Sequence, residues 1–236
     1  TLKDNFDYVP PYGKGSMYIR PIVWGTAPAL GVRAVSEYTF MVFLSPVGSY
    51  FKAGVRPLNL KVETDYHRAA PRGIGNAKAI GNYSASLYPL TMAKKEGFDE
   101  VIYLDSNNEN QIEELGSANL FIVKDGIVKT PKLSGSILDG VTRDSVCKIA
   151  SELLKLKVFE TNVTINDLLE ADEVFCTGTA VVVTPVGKIT YNNEVHEINK
   201  NQLGPIAGKC KELLSAIQRQ EIDDPFGWIT PVIKGS

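Results

Sequence analysis

The sequence is poor in the residues that build most metal and disulfide sites. Its 236 residues include 3 cysteines and 2 histidines. Cys147, Cys176 and Cys210 are far apart, odd in number and without ligand spacing, so neither a disulfide framework nor a zinc site is indicated. His67 and His196 have no cysteine or carboxylate motif around them. Histidine-centred nucleophile or metal chemistry is therefore not expected. Long apolar runs are missing too: stretches such as Tyr38 to Leu44 are too short to span a bilayer. No basic, apolar, small-residue leader opens the chain. Lys+Arg 25 against Asp+Glu 27 gives a formal net charge of -2, without the excess of one sign that steers a protein to nucleic acid or anionic lipid. Repeats and low-complexity segments are absent. A reducing, cytoplasmic setting fits this inventory, with no nucleic-acid or membrane partner.

What is present is a loop of three glycines, two asparagines and one lysine, running from Gly73 to Tyr83 (GIGNAKAIGNY). Such a loop folds tightly and lets its backbone approach another group closely. A lysine held against an apolar wall loses water, and a neutral amine attacks an aldehyde to form a Schiff base. On spacing alone the surface-loop reading is favoured, because Gly-rich loops are weak signals.

Around the loop, Met17 to Trp24 and Tyr38 to Leu44 read as aromatic and β-branched strands, the first at an edge or bulge because of Pro21. Pro46-Val47-Gly48 is expected to end the second. Ser84 to Glu96 reads as a helix ending at Gly97, kinked or started late by Pro89. Val101 to Leu104 is a short strand, and Asp125-Gly126 turns a hairpin between Leu120–Val123 and Ile127–Thr130. Arg143 to Leu154 is an amphipathic helix, and a shorter helix starts at Thr164 with Asp167 in its first turn. Strands are expected at 174–175, 180–184 and 188–191, then a last helix opened by Gly204-Pro205. Without regular βα alternation the mixture argues an α+β fold.

Four ordered motifs carry a resemblance: KAIGNY (78–83), EELGSANLF (113–121), LDGVTRD (138–144) and GTAVVVTPV (178–186). Together they resemble the class IV pyridoxal-phosphate aminotransferases, most closely those for branched-chain amino acids, over about Met17 to Trp228. The resemblance implies the fold-type IV α+β architecture of the D-amino acid aminotransferase kind. Residues 1–51 would be the C-terminal part of a small domain, 52–62 a connection and 63–236 the large cofactor domain. The family's small domain begins well before the point matching Thr1 and brings an arginine for the cofactor phosphate, so that segment is expected to lie outside this sequence.

By the same resemblance, Lys78 binds pyridoxal 5'-phosphate as a Schiff base and shuttles the proton. Glu114 faces the pyridine nitrogen, with strand alternation sending Glu113 the other way. Tyr83 bonds the phenolic oxygen, while Val141, Thr142 and Thr179 cradle the phosphate. Arg143 is expected to be structural. Substrate contacts fall on Tyr18, Arg20, Tyr50, Ser117 and Ala180. The implied reaction exchanges amino groups between leucine, isoleucine or valine and 2-oxoglutarate, in a homodimer whose other partners are amino acids and 2-oxo acids. A D-amino acid aminotransferase, an aminodeoxychorismate lyase and a fragment that only folds or dimerises are the alternatives. Val181 and Thr184 stand where some members carry Cys-x-x-Cys, so no thiol switch is expected.

Overall fold

The structure is a computed structural model that describes residues 1–48 and 56–232. It divides into two compact units, Thr1–Gly54 with Pro225–Ser236, and Val55–Asp224. The second stretch of the first unit lies within the expected 63–236 domain.

The first unit is built on a hairpin. β1 (Ser16–Gly25) and β2 (Tyr38–Val47) pair antiparallel in unbroken register from Ser16↔Val47 to Gly25↔Tyr38. β2 runs through Pro46 rather than stopping there. Pro21 is tolerated because, among the described residues, each strand has only one partner, leaving an edge where a missing N–H breaks no ladder. None of the described residues of this unit is buried. Phe40 and Val23 lie more than 60 % exposed.

The second unit holds the core. Its strands are β3 (Leu58–Val62), β4 (Glu100–Asp105), β5 (Asn108–Leu115), β6 (Asn119–Lys124), β7 (Ile127–Pro131), β8 (Val158–Thr161), β9 (Glu173–Gly178), β10 (Val182–Tyr191) and β11 (Glu194–Glu197). They form one sheet in the order β5-β4-β3-β10-β9-β6-β7-β8, with β11 added to β10. The pairs β3–β4, β3–β10 and β7–β8 are parallel and the rest antiparallel. Alternation sends Leu120, Ile122, Val174 and Cys176 into one cluster with Leu60, Ile102, Leu168 and Ile189. Phe121 and Phe175 stack 5.0 Å apart, on positions alternating with that cluster. The Asp125-Gly126 hairpin is as expected: both residues have positive φ, as a tight two-residue turn demands.

The helices are α1 (Ile80–Lys95), α2 (Val141–Lys148), α3 (Ile165–Leu169) and α4 (Pro205–Gln218). α1 starts earlier than Ser84 and runs through a buried Pro89. Asn82 explains the early start, since its side chain donates to the Ile74 and Ala77 carbonyls and fastens the first turn to the lysine loop. α2 passes into a π-helical turn at Ile149–Leu153. Thr164 and Asp167 cap α3 reciprocally. The start of α4 is satisfied by Glu173, which accepts from the Ile206 and Ala207 N–H groups. Strands 180–184 and 188–191 are one strand, β10, which absorbs Pro185 and Gly187 with a register shift at Val186/Lys188.

Candidate active site

The lysine loop is fixed by its neighbours. Gly75 lies against the Ser136 carbonyl, where any Cβ would collide, and Asn76 N–H donates to the Gly135 carbonyl. Lys78 therefore leaves a loop fastened to segment 134–138. Its Nζ donates to the Tyr83 hydroxyl at 2.8 Å. Tyr83 is on the first turn of α1, not in the loop as the motif suggested. Lys78 is exposed in this chain, so the apolar wall raised as one reading of the loop is not what surrounds it. Its amine has a phenol for a neighbour instead.

Glu114 is the best-held side chain of the group. It sits near the end of β5, 3 % exposed. Its Oε1 pairs with Arg68 at 2.6 Å and accepts the Leu138 N–H at 3.0 Å. Its Oε2 accepts from Asn119 Nδ2 at 2.8 Å. Burial pushes its pKa up to about 7 against the pull of the Arg68 guanidinium. Alternation alone does not separate the two glutamates. Glu113 is also buried, is raised by burial, and takes the Ser136 hydroxyl on the segment whose Leu138 serves Glu114.

Asn119 carries the arrangement onward. Its amide also donates to the Leu138 carbonyl at 2.8 Å, and its Oδ1 fills the space a Cβ at position 140 would need. Gly140 is thus a glycine by necessity, and it is the N-cap of α2 with no side chain capping the helix start. Val141 and Thr142 follow it, their N–H groups at the end of the helix that attracts anions. Arg143 is buried, donating to the Pro131 carbonyl and to Glu160. That geometry is structural, as expected.

Register places the last turn beside this group, because Asn119 pairs with Thr177 across β6 and β9. Gly178 lies against the Ser117 carbonyl, and Thr179 and Ala180 follow it, Ala180 exposed and Thr179 alongside. Val182 holds φ 54, a strained value for a β-branched residue, at the point where this turn enters β10. Ser117, expected to offer its hydroxyl to a substrate carboxylate, has a protein partner here. It donates, at a long 3.4 Å, to Glu100, whose carboxyl burial pushes up.

The remaining expected residues belong to the other unit. Arg20 and Tyr18 are on β1, with the guanidinium 4.9 Å from the centre of the Tyr18 ring. Tyr50 lies outside the described residues. Burial pushes the thiols up, Cys176 and Cys210 to about 12 and the half-buried Cys147 to about 11, away from the reactive thiolate.

Residues 5–189 match the family model described as amino-transferase class IV. The chain belongs to the class IV aminotransferase family. This class IV chain is 46 % identical over 228 residues to the branched-chain-amino-acid aminotransferase 5, chloroplastic, of Arabidopsis thaliana, covering 97 % of itself and 55 % of that protein. It thus spans little more than half the length of that curated relative. Among solved structures it matches the Escherichia coli branched-chain amino acid aminotransferase with a TM-score of 0.80 and 33 % identity, covering 90 % of this chain and 69 % of that one. A second solved branched-chain amino acid aminotransferase, complexed with N-(5'-phosphopyridoxyl)-L-glutamate, matches with a TM-score of 0.74 and 34 % identity, over 85 % of this chain and 64 % of that one. The α+β architecture expected from the motifs is therefore that of the solved class IV aminotransferases.

Sequence reasoning missed Arg68, Asn119 and Ser136. Asn119 lies inside one of the four motifs, and its signal was a polar residue opening an otherwise apolar strand. Arg68 and Ser136 carried no signal: one precedes the loop in an irregular stretch and the other lies in a short serine- and glycine-rich connection, and only folding brings them to the two glutamates.

Proposed function

We propose that this chain is the cofactor-binding part of a branched-chain amino acid aminotransferase, with pyridoxal 5'-phosphate on Lys78. The observation that carries the reading is the Lys78 amine 2.8 Å from the Tyr83 phenol, in a loop fastened to the segment that holds Glu114. Bound pyridoxal phosphate would supply an electrophilic carbonyl and an electron-accepting ring. The residues present fit that group. Glu114 still has a lone pair on Oε2 for a ring N–H, and the α2 start has no side-chain cap competing for an anion.

In this reading Lys78 Nζ is the attacking amine and afterwards carries the proton between donor and acceptor carbons. Tyr83 holds the phenolic oxygen, and Glu114 keeps the ring nitrogen protonated. Val141, Thr142 and Thr179 hold the phosphate. Tyr18, Arg20, Tyr50, Ser117 and Ala180 are proposed for the substrate, with Arg20 binding the second carboxylate of glutamate. Ser117 would first have to release Glu100.

The proposed substrates are leucine, isoleucine and valine with 2-oxoglutarate, supported by the branched-chain names of the relatives and by the phosphopyridoxyl-L-glutamate in the second solved structure. We also propose a homodimer. The domain reading, with 1–51 in a small domain, 52–62 as connection and 63–236 as the large domain, stands as part of the proposal. The cytoplasm remains the proposed compartment, supported by three unpaired cysteines. The chloroplastic name of the relative favours a plastid as the second reading. No helix of the described residues is long and apolar enough to cross a membrane.

The test is an absorption spectrum with and without added pyridoxal phosphate, followed by borohydride reduction and peptide mapping. We expect the label on Lys78 and its loss, with all multiple-turnover transamination, in Lys78→Ala. A label on Lys94 or Lys95 sinks the assignment.

A further inference from the structure

We infer that Arg68 is the positioning residue of this site: its guanidinium neutralises the buried Glu114 carboxylate and ties it to the loop that carries Lys78. The purpose of that tie rests on the cofactor reading above, whereas its geometry lies wholly within residues 68–138.

Arg68 is 6 % exposed, an unusual place for a guanidinium unless it is paired. One of its terminal nitrogens serves three acceptors from three stretches of chain. It lies 2.6 Å from Glu114 Oε1 on β5, donates to the Ser136 carbonyl, and reaches the Gly75 carbonyl at 3.4 Å. Gly75 and Ser136 are the pair whose backbones touch so closely that no Cβ fits between them. The arginine therefore sits where the lysine loop, the 134–138 segment and β5 meet. Its Nε is buried with no partner among the described residues.

Counting lone pairs shows what the tie accomplishes. An ionised carboxylate offers about four acceptor sites. Arg68 and the Leu138 N–H occupy Oε1, and Asn119 occupies one site on Oε2. One site remains, so Glu114 in its ionised form would be oriented with a single opening for an incoming N–H donor. The other influences on its charge are burial and Glu113 on the same strand, which oppose ionisation, and the Leu138 N–H and Arg143 of α2, which favour it. Arg68 is the strongest of the favourable ones. Without it the carboxyl would keep its proton to higher pH and would hold a cationic ring nitrogen less well.

The first test needs no cofactor. The infrared carboxyl band of Glu114, identified by its loss in Glu114→Gln, is followed against pH in the cofactor-free chain. Arg68→Met should move that titration upward by ~1–3 pH units, the usual effect of removing an opposite charge at this range. An unmoved titration overturns the proposal. The second test is a cycle of Arg68→Met and Glu114→Gln read by pyridoxal phosphate affinity and melting temperature. Arg68→Met should weaken binding by ~10-fold or more in the parent chain and by less than ~2-fold in Glu114→Gln, the signature of two groups acting as one. Equal losses in both backgrounds overturn it. If Arg68→Met alone does not fold, the double variant should, because removing both charges removes the mismatch; a double variant that also fails to fold overturns the proposal. A chain that shows the titration shift yet takes up no cofactor would defeat the cofactor reading and leave the role of Arg68 standing.

Discussion

The hairpin of β1 and β2 and the sheet around β6 and β9 are both strands rich in aromatic and β-branched residues, yet they end in opposite conditions. β6 and β9 have neighbours on both sides and are buried almost end to end, with Leu120, Phe121 and Phe175 fully covered. Among the described residues β1 and β2 pair only with each other, and none of their residues is buried. Strand-forming sequence makes a ladder in either case. A core requires a second layer, and two strands alone cannot supply one. The proposed cofactor residues all lie on the covered side of this comparison, while Tyr18 and Arg20 lie on the bare one. The residues proposed for the cofactor thus belong to one unit, and Tyr18 and Arg20 to the other.

The comparison breaks most easily by hydrogen exchange. Amides of β1 and β2 should exchange on the order of a thousandfold faster than those of β6 and β9, since only the latter open with the whole unit. Equal protection would show that the hairpin is held as firmly as the sheet.

Within the covered unit, Glu114→Gln should slow turnover by ~10²–10³-fold even when saturating pyridoxal phosphate keeps the site filled, the usual loss when a transition-state charge partner is removed. Glu113→Gln should do less. A larger loss at Glu113 would exchange the roles of the two strand neighbours.

On the bare unit, Arg20→Ala should raise the KM for glutamate by ~10- to 100-fold, as expected for one charge-assisted bond. Leucine and the melting temperature should be little affected, because no apolar packing is lost. A fall in thermal stability would mean that Arg20 supports structure rather than substrate.

The last effect is a pH dependence. Glu114 is raised from 4.5 to about 7 in the fold, so the folded chain holds that proton more tightly than the unfolded one. The resulting stabilisation is complete below pH 4.5 and disappears as pH rises through 7. The cofactor-free parent should therefore lose up to ~3 kcal/mol relative to Glu114→Gln between about pH 5 and pH 8. A constant difference over that window would place Glu114 in a wetter setting.

Much was legible in the sequence where the cause was local. The Asp125-Gly126 turn, the Thr164–Asp167 cap and the proline that opens α4 each depend on residues within a few positions of one another. Lys78, Glu114 and Thr142 entered as site candidates through resemblance rather than spacing. Where local rules competed with distant contacts, the sequence misled. Pro89 argued for a late or bent α1, but Asn82 bonding back to the loop extends the helix to Ile80. Pro46 argued for the end of β2, but a strand with a free edge accommodates it.

The sequence by itself therefore determined the family, the α+β class and which lysine is proposed for the chemistry. Only the tertiary structure decided the electrostatics around Glu114. A carboxylate is moved by the charges and the water within a few ångströms of it, and the groups that do so here, Arg68, Asn119 and the Leu138 N–H, come from separate stretches of chain. Their distances from Glu114 are set by packing, which no spacing along the chain encodes.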